Sequence, residues 1–135
     1  MLLIGIDYGL KHMGVSVGDT ISKTAKPLCG FEYKHQTWVL NLKKIVERWQ
    51  PDKIIVGLPF NADGTKQPMT EKVLVFVEAL GVEFDLPVEC VDERWSTVEA
   101  KALLYDANKM NKVSKEMVDA ESARLILQQW LLENA

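Results

Sequence analysis

Acidic residues occur at three places in this chain where a carboxylate is costly unless something binds it. Asp7 ends an apolar segment near the N-terminus, and Asp92 and Glu93 directly follow a second strand-like segment. Asp119 shares a helical stripe with apolar residues, at four-, three- and four-residue steps from Trp130. A carboxylate in apolar surroundings is unfavourable unless it is paired or bound to a cation. These acids are therefore candidates for one shared cation site.

The residue types indicate which cation such a site would hold. Three carboxylates brought together repel one another, so one would take up a proton at neutral pH unless a cation lay between them. Oxygen ligands without a nearby His or Cys favour Mg²⁺ or Mn²⁺ over Zn²⁺. Two such ions ~3.5–4 Å apart can activate water and stabilise the leaving oxygen of a phosphodiester. We expect His12 and His35 to lie on the surface, outside this chemistry.

Each acid also has a structural interpretation that does not involve a metal. Asp7 could cap the turn that follows it. Adjacent strand residues point to opposite faces, so only one of Asp92 and Glu93 is expected to be a ligand, and the other could pair with Arg94. A position near a helix N-terminus would stabilise Asp119 by ~0.3–1 kcal/mol, but this does not explain why the residue faces inward.

The hydrophobic pattern predicts the elements that position these acids. Three short strand-like segments open the chain and indicate an antiparallel meander. Two helices then alternate with two further strands, the first helix ending before Pro51 and the second capped by Gly81. A capping-box pattern at 96–99 begins a third helix, and a fourth begins near Ser114. The predicted strands are 2–7, 13–17, 28–33, 53–58 and 88–91, and the first two helices are 38–49 and 70–80.

The resulting order, βββαβαβαα, predicts an α/β fold with a mixed five-stranded sheet. Helices between the later strands imply parallel pairing through right-handed crossovers, with helices on both faces of the sheet. The carboxyl ends of neighbouring parallel strands meet at one edge, where α/β proteins usually place their sites. The length of 135 residues fits one domain, 1–135.

Composition narrows the class of protein further. The hydrophobic fraction is 47%, the formal net charge is −3 and the pI is about 5.4, which argues against nucleic-acid binding by bulk charge. Four lysines between Lys101 and Lys115 form a local basic stretch, either a solvated loop or a phosphate-binding surface. The two cysteines lack metal-type spacing, and the apolar runs are shorter than the ~20 residues of a membrane span. We therefore expect a cytoplasmic protein that does not interact with membranes.

Five motifs in a fixed order resemble those of the YqgF (RuvX) family over essentially the whole chain. They are GIDYG at 5–9, GVSVG at 14–18, IVGLP at 55–59 followed by Asp63-Gly64, DERWST at 92–97 and VDAESA at 118–123. Members are described as pre-16S ribosomal RNA nucleases and, earlier, as Holliday junction resolvases. Trp95 stands where many relatives are expected to have an aliphatic residue, a change that leaves the acids intact.

The resemblance implies a ribonuclease H-like fold and a phosphodiester-cleaving site built from Asp7, Asp92 or Glu93, and Asp119. We favour Glu93 over Asp92 as the metal ligand because its longer side chain can reach across the strand end. The further residues implied for the substrate are Arg94, which would orient an acid or hold the scissile phosphate, and Lys11 and Thr97. The implied partner is nucleic acid, either structured RNA or branched DNA.

Three alternatives remain open from the sequence. A junction resolvase uses the same metal chemistry but usually as a two-fold dimer, whereas we expect a monomer or a weak homodimer. The segment 7–9 before a hairpin also resembles the phosphate-binding start of actin-like ATPases, but those proteins need a duplicated domain. A non-catalytic nucleic-acid-binding module of the same fold would have lost its acids, which this chain retains.

Overall fold

The structure, a computed structural model, describes residues 1–93 and 114–134. The strands form one five-stranded sheet. Two helices connect the later strands, and a long C-terminal helix follows the undescribed segment. The strands are β1 Leu2–Tyr8, β2 His12–Asp19, β3 Thr24–Glu32, β4 Lys53–Leu58 and β5 Val88–Asp92. The helices are α1 Trp38–Trp49, α2 Pro68–Phe84 and α3 Lys115–Asn134.

The strands are arranged in the order β3-β2-β1-β4-β5. The first three pair antiparallel through short connections, as the meander pattern predicts. Strand β4 pairs parallel to β1, and β5 pairs parallel to β4, each reached through a helix. A helix is the usual crossover between parallel strands, which two-residue turns cannot join. The predicted mixed five-stranded sheet is therefore confirmed.

The sheet is covered on both faces, as predicted. Side chains alternate along a strand, so Ile4 and Ile6 of β1 pack towards α1 and α2, while Leu3 packs towards α3. Strand β4 is buried on both faces, with Ile54 in the first cluster and Ile55 in the second. A strand covered on both sides is expected to be continuously apolar, and β4 is so after its first residue, Lys53.

Helix α3 lies unusually close to the sheet because glycines face it. A Cβ atom added to Gly14 would lie 1.8 Å from a backbone oxygen of α3, and one added to Gly30 would lie 2.4 Å from another. The buried hydroxyl of Ser16 donates a hydrogen bond to the Ala123 carbonyl oxygen at 2.8 Å. The absence of side chains at these glycines therefore sets the height of α3 above the sheet.

Two predicted boundaries were wrong by four residues, the end of α2 and the start of β3. Helix α2 continues through Gly81 to Phe84, and Asp85 ends it in the left-handed conformation with φ 52°, its N–H donating to the Gly81 carbonyl. An internal glycine costs about 1 kcal/mol of helix stability, but Phe84 packs on the core and offsets that cost. Strand β3 begins at Thr24 rather than at 28 because it pairs with β2 along its full length.

The third helix predicted to begin at 96–99 lies outside the described residues. Within the part of the chain that is described, no helix is long and apolar enough to cross a membrane. Cys29 and Cys90 are half-buried free thiols on β3 and β5, and burial raises the pKa of each.

Candidate active site

Asp7 lies near the carboxyl end of β1, on the face that α3 covers. It follows Leu3 and Gly5 at two-residue steps, and both of those residues contact α3 or its core cluster. Its partner across the sheet is Gly14 of β2. The first-strand acid therefore stands beside the glycine on which α3 rests.

Asp119 reaches the same place from the opposite layer. The backbone oxygen that a Cβ on Gly14 would strike belongs to Asp119 itself. Asp7 and Asp119 line one pocket of about 230 Å³, together with Lys11 and Lys115. The structure thus brings two of the predicted acids and one predicted substrate contact to a single site.

The Asp119 side chain is 12% exposed, and its two carboxylate oxygens differ in their contacts. Oδ1 accepts a hydrogen bond from the Lys115 ammonium at 2.7 Å. Oδ2 is buried and accepts no hydrogen bond from the described residues. A buried carboxylate oxygen without a donor is costly in a folded protein unless an ion or water binds it. Hard carboxylate oxygens of this kind fit a divalent cation such as Mg²⁺ or Mn²⁺.

Asp92, the last residue of β5, and Glu93, the residue after it, lie on opposite faces of the sheet. Glu93 is 7% exposed and its N–H donates to the Leu58 carbonyl at 3.2 Å. A Cβ on Gly57 would lie 3.1 Å from the Glu93 carboxyl carbon and 2.6 Å from Ile126 of α3. Glu93 therefore lies on the α3 face, like Asp7, whereas Asp92 is exposed. This difference supports Glu93 over Asp92 as a candidate ligand.

The described residues do not form a complete metal site. Within 1–93 and 114–134, no three His, Cys, Asp or Glu side chains are grouped closely enough to hold an ion. Lys11 is exposed at the rim of the pocket, while Arg94 and Thr97 lie outside the described residues. The ligand set of Asp7, Glu93 and Asp119 accordingly stays a prediction.

Lys115 lines the pocket through a contact with Asp119 that was not predicted from the sequence. It precedes Asp119 by four residues, a spacing that places two side chains on one face of a helix. That spacing was the available signal, but Lys115 was grouped instead with the basic stretch that begins at Lys101. The remaining lysines of that stretch lie outside the described residues.

Tyr33 fixes the turn that carries Lys11. Its hydroxyl donates a hydrogen bond to the Gly9 carbonyl, and its backbone N–H donates to the Lys11 carbonyl at 2.9 Å. Burial, and to a lesser extent the neighbouring Tyr8, raises the pKa of Tyr33 well above its usual value. The hydroxyl therefore stays protonated and keeps its donor role across the physiological pH range.

The sheet order and the position of α3 define the ribonuclease H-like fold, which solved structures of resolvases share. The Thermus thermophilus RuvC complex with a Holliday junction substrate matches with a TM-score of 0.59 and 17% identity, over 98% of this chain and 95% of that one. The fowlpox virus resolvase complex with Holliday junction DNA matches with a TM-score of 0.55 and 17% identity, over 98% and 99%. At such identities the likeness concerns the fold alone.

Sequence comparison is more specific. A family model described as "RuvX: Holliday junction resolvase" matches residues 1–133. A relative from Yersinia enterocolitica is 39% identical over 98% of this chain and 96% of its own length, and one from Actinobacillus pleuropneumoniae is 40% identical over 95% and 94%. Both carry the name "Putative pre-16S rRNA nuclease". The chain belongs to the RuvX (YqgF) family, as its motifs predict.

Proposed function

We propose that this chain is a metal-dependent nuclease that hydrolyses phosphodiester bonds at the 5′ end of pre-16S ribosomal RNA. The observation that carries the proposal is that Asp7 and Asp119, which both adjoin Gly14, line one pocket together with Lys11 and Lys115. Acids at this position would hold Mg²⁺ or Mn²⁺, and Lys11 would face the phosphates of the substrate. The family and the names of its relatives support the same activity.

Each side chain has a distinct task in this proposal. Asp7, Glu93 and Asp119 would hold the cations, and Asp119 would contribute its buried Oδ2. Bound divalent ions supply an activated water and stabilise the leaving oxygen. Because Mg²⁺ keeps several waters in its shell, one or two direct carboxylates are enough to bind it. Lys115 orients the Asp119 carboxylate, and Lys11, Arg94 and Thr97 contact the substrate.

The test uses end-labelled RNA that contains the 5′ leader of 16S RNA, with Mg²⁺ or Mn²⁺ added. Asp7→Asn and Asp119→Asn are expected to lower the cleavage rate by about 10²-fold or more, as losses of preorganised electrostatic groups do. Asp85→Asn, an exposed residue at the end of α2, makes the same chemical change away from the pocket and should cut normally. Equal cleavage by all four proteins would overturn the site.

Two single substitutions distinguish Glu93 from Asp92 as the metal ligand. Glu93→Gln is expected to reduce cleavage strongly because Glu93 is buried on the α3 face. Asp92→Asn is expected to have little effect because that side chain is exposed. The opposite ranking would make Asp92 the ligand.

A Holliday junction resolvase is the second candidate, and the description of the matching family model favours it. Symmetric cutting of two strands usually needs a two-fold dimer, whereas we propose a monomer or a weak homodimer formed from one domain, 1–135. A four-way DNA junction run beside the RNA distinguishes the two activities. Selective cutting of the junction, with a dimer seen by sedimentation, would assign the resolvase activity.

A non-catalytic binding module of the same fold predicts a different outcome. Such a module would bind nucleic acid equally well after Asp7→Asn and without Mg²⁺, and it would cut neither substrate. The retained acids argue against it. A cytoplasmic location, where ribosomal RNA precursors would be met, is part of the nuclease proposal.

A further inference from the structure

A second, larger groove adjoins the candidate active site. Its volume is about 910 Å³, and its lining includes Lys11, Glu32, Lys34 and His35. Leu10 and Lys11 line both this groove and the pocket that contains Asp7. The two cavities therefore form one continuous surface that leads away from the acids.

The rim of this groove is held in place by hydrogen bonds between two turns. Tyr33, at the end of β3, binds the β1–β2 turn through its hydroxyl and its backbone N–H. The next turn is closed by Thr37, whose hydroxyl donates to the Lys34 carbonyl at 2.7 Å and accepts from the Lys34 N–H at 3.1 Å. These hydrogen bonds pre-organise the backbone that carries Lys11 and Lys34, which lowers the entropic cost of ordering it when a ligand binds.

The charges of the groove suit a polyanion. Lys11 and Lys34 are exposed, and neither forms an ion pair with the described part of the chain. The one acid of the lining, Glu32, lies 3.5 Å from the His12 imidazole, so it is directed towards β2. The acids of the active site would repel a phosphate chain without a cation, so lysines beside them would supply attraction where the substrate leaves the site.

We propose that this groove binds the phosphodiester backbone of the nucleic acid next to the cleaved bond, with Lys34 and His35 as contacts in addition to Lys11. The proposal rests on the nuclease function above, because it supplies the path by which the substrate reaches the acids. Backbone contacts of this kind position a nucleic acid without reading its sequence.

The test measures binding rather than cleavage. Fluorescence anisotropy in EDTA gives the Kd for the labelled 16S leader RNA and for a four-way DNA junction between 50 and 200 mM salt. Each lost phosphate contact reduces the steepness of log K against log salt by roughly 0.7–0.9. Between 50 and 200 mM salt, the affinity of such a variant therefore falls about threefold less than that of the parent protein. We expect this change for Lys34→Ala. Lys72→Ala, an equally exposed lysine on α2, should keep the parent slope.

A second variant gives the opposite sign. Glu32→Gln removes the negative charge from the groove and should tighten binding, since the repulsion of phosphate is lost. If Lys34→Ala keeps the slope of the parent, or if Lys72→Ala loses as much, the groove does not bind the backbone. Absence of binding by the parent protein would also refute the proposal. A different result would refute the nuclease function alone. In that case the groove would bind nucleic acid, but neither substrate would be cut when metal is added.

Discussion

Replacing Gly14 by alanine tests how the fold positions the site. Gly14 pairs with Asp7 in the sheet and faces the backbone of Asp119. The added Cβ would lie 1.8 Å from the Asp119 carbonyl oxygen and 2.3 Å from its carbonyl carbon. Because backbone atoms cannot rotate away as a side-chain end can, the start of α3 must move.

The size of that movement follows from the contact. Real Cβ atoms essentially never approach within 3.0 Å of such an atom, so α3 must shift by more than about 1 Å at Asp119. Overpacking of this kind typically costs about 1–3 kcal/mol of unfolding free energy. A displacement of about 1 Å at a catalytic group can cost about 10²-fold in rate. We therefore expect Gly14→Ala to fold with reduced stability and to lose nearly all of its cleavage activity.

Urea unfolding followed by circular dichroism gives the stability, and cleavage of the leader RNA by the folded fraction gives the rate. Gly81→Ala is the matched control, since the atom nearest to a Cβ added at this α2 position is the Leu86 carbonyl oxygen, 3.9 Å away and beyond the end of the helix. That variant should gain about 0.5–1 kcal/mol because alanine replaces a helical glycine. If Gly14→Ala were as stable and as active as the parent protein, the close packing of α3 would not position Asp119.

Three further outcomes are expected. Removing the buried hydroxyl in Ser16→Ala should lower the unfolding free energy by about 1–3 kcal/mol in urea titration, since its hydrogen bond to α3 is lost. Because burial raises the pKa of Cys29 and Cys90, alkylation by iodoacetamide at pH 8 should be much slower in the native protein than in urea, and the native rate should still rise above pH 9. Lys115→Met should unfold at a lower temperature in EDTA, while added Mg²⁺ should raise its melting temperature more than that of the parent protein, because the ammonium charge on Oδ1 of Asp119 no longer repels the cation. Equal shifts would contradict that repulsion.

The sequence predicted the sheet well because its signals are local. Strand β4 is continuously apolar, and the change from a two-residue to a helical period marks the start of α1 near Trp38. The end of α2 could not be predicted in this way. Gly81 is a typical helix-ending residue. The helix continues beyond it because Phe84 packs on the core.

The sequence predicted the inward placement of Asp119 but not all of its contacts. Inward placement of Asp119 follows from its position on the helical stripe, and the structure shows it buried. The ammonium group of Lys115 on Oδ1 could have been inferred from the four-residue spacing. The contact of α3 with Gly14 could not have been inferred from the sequence. It joins residues more than one hundred positions apart and depends on the height of the helix above the sheet.

Binding of Mn²⁺ tests the central claim most directly. Electron paramagnetic resonance measures free Mn²⁺ as protein is added, without any substrate. The parent protein and Asp85→Asn should remove Mn²⁺ from solution with the same affinity, whereas Asp7→Asn and Asp119→Asn should bind it much more weakly although they remain folded. Unchanged binding in the last two variants would show that these acids do not hold the metal.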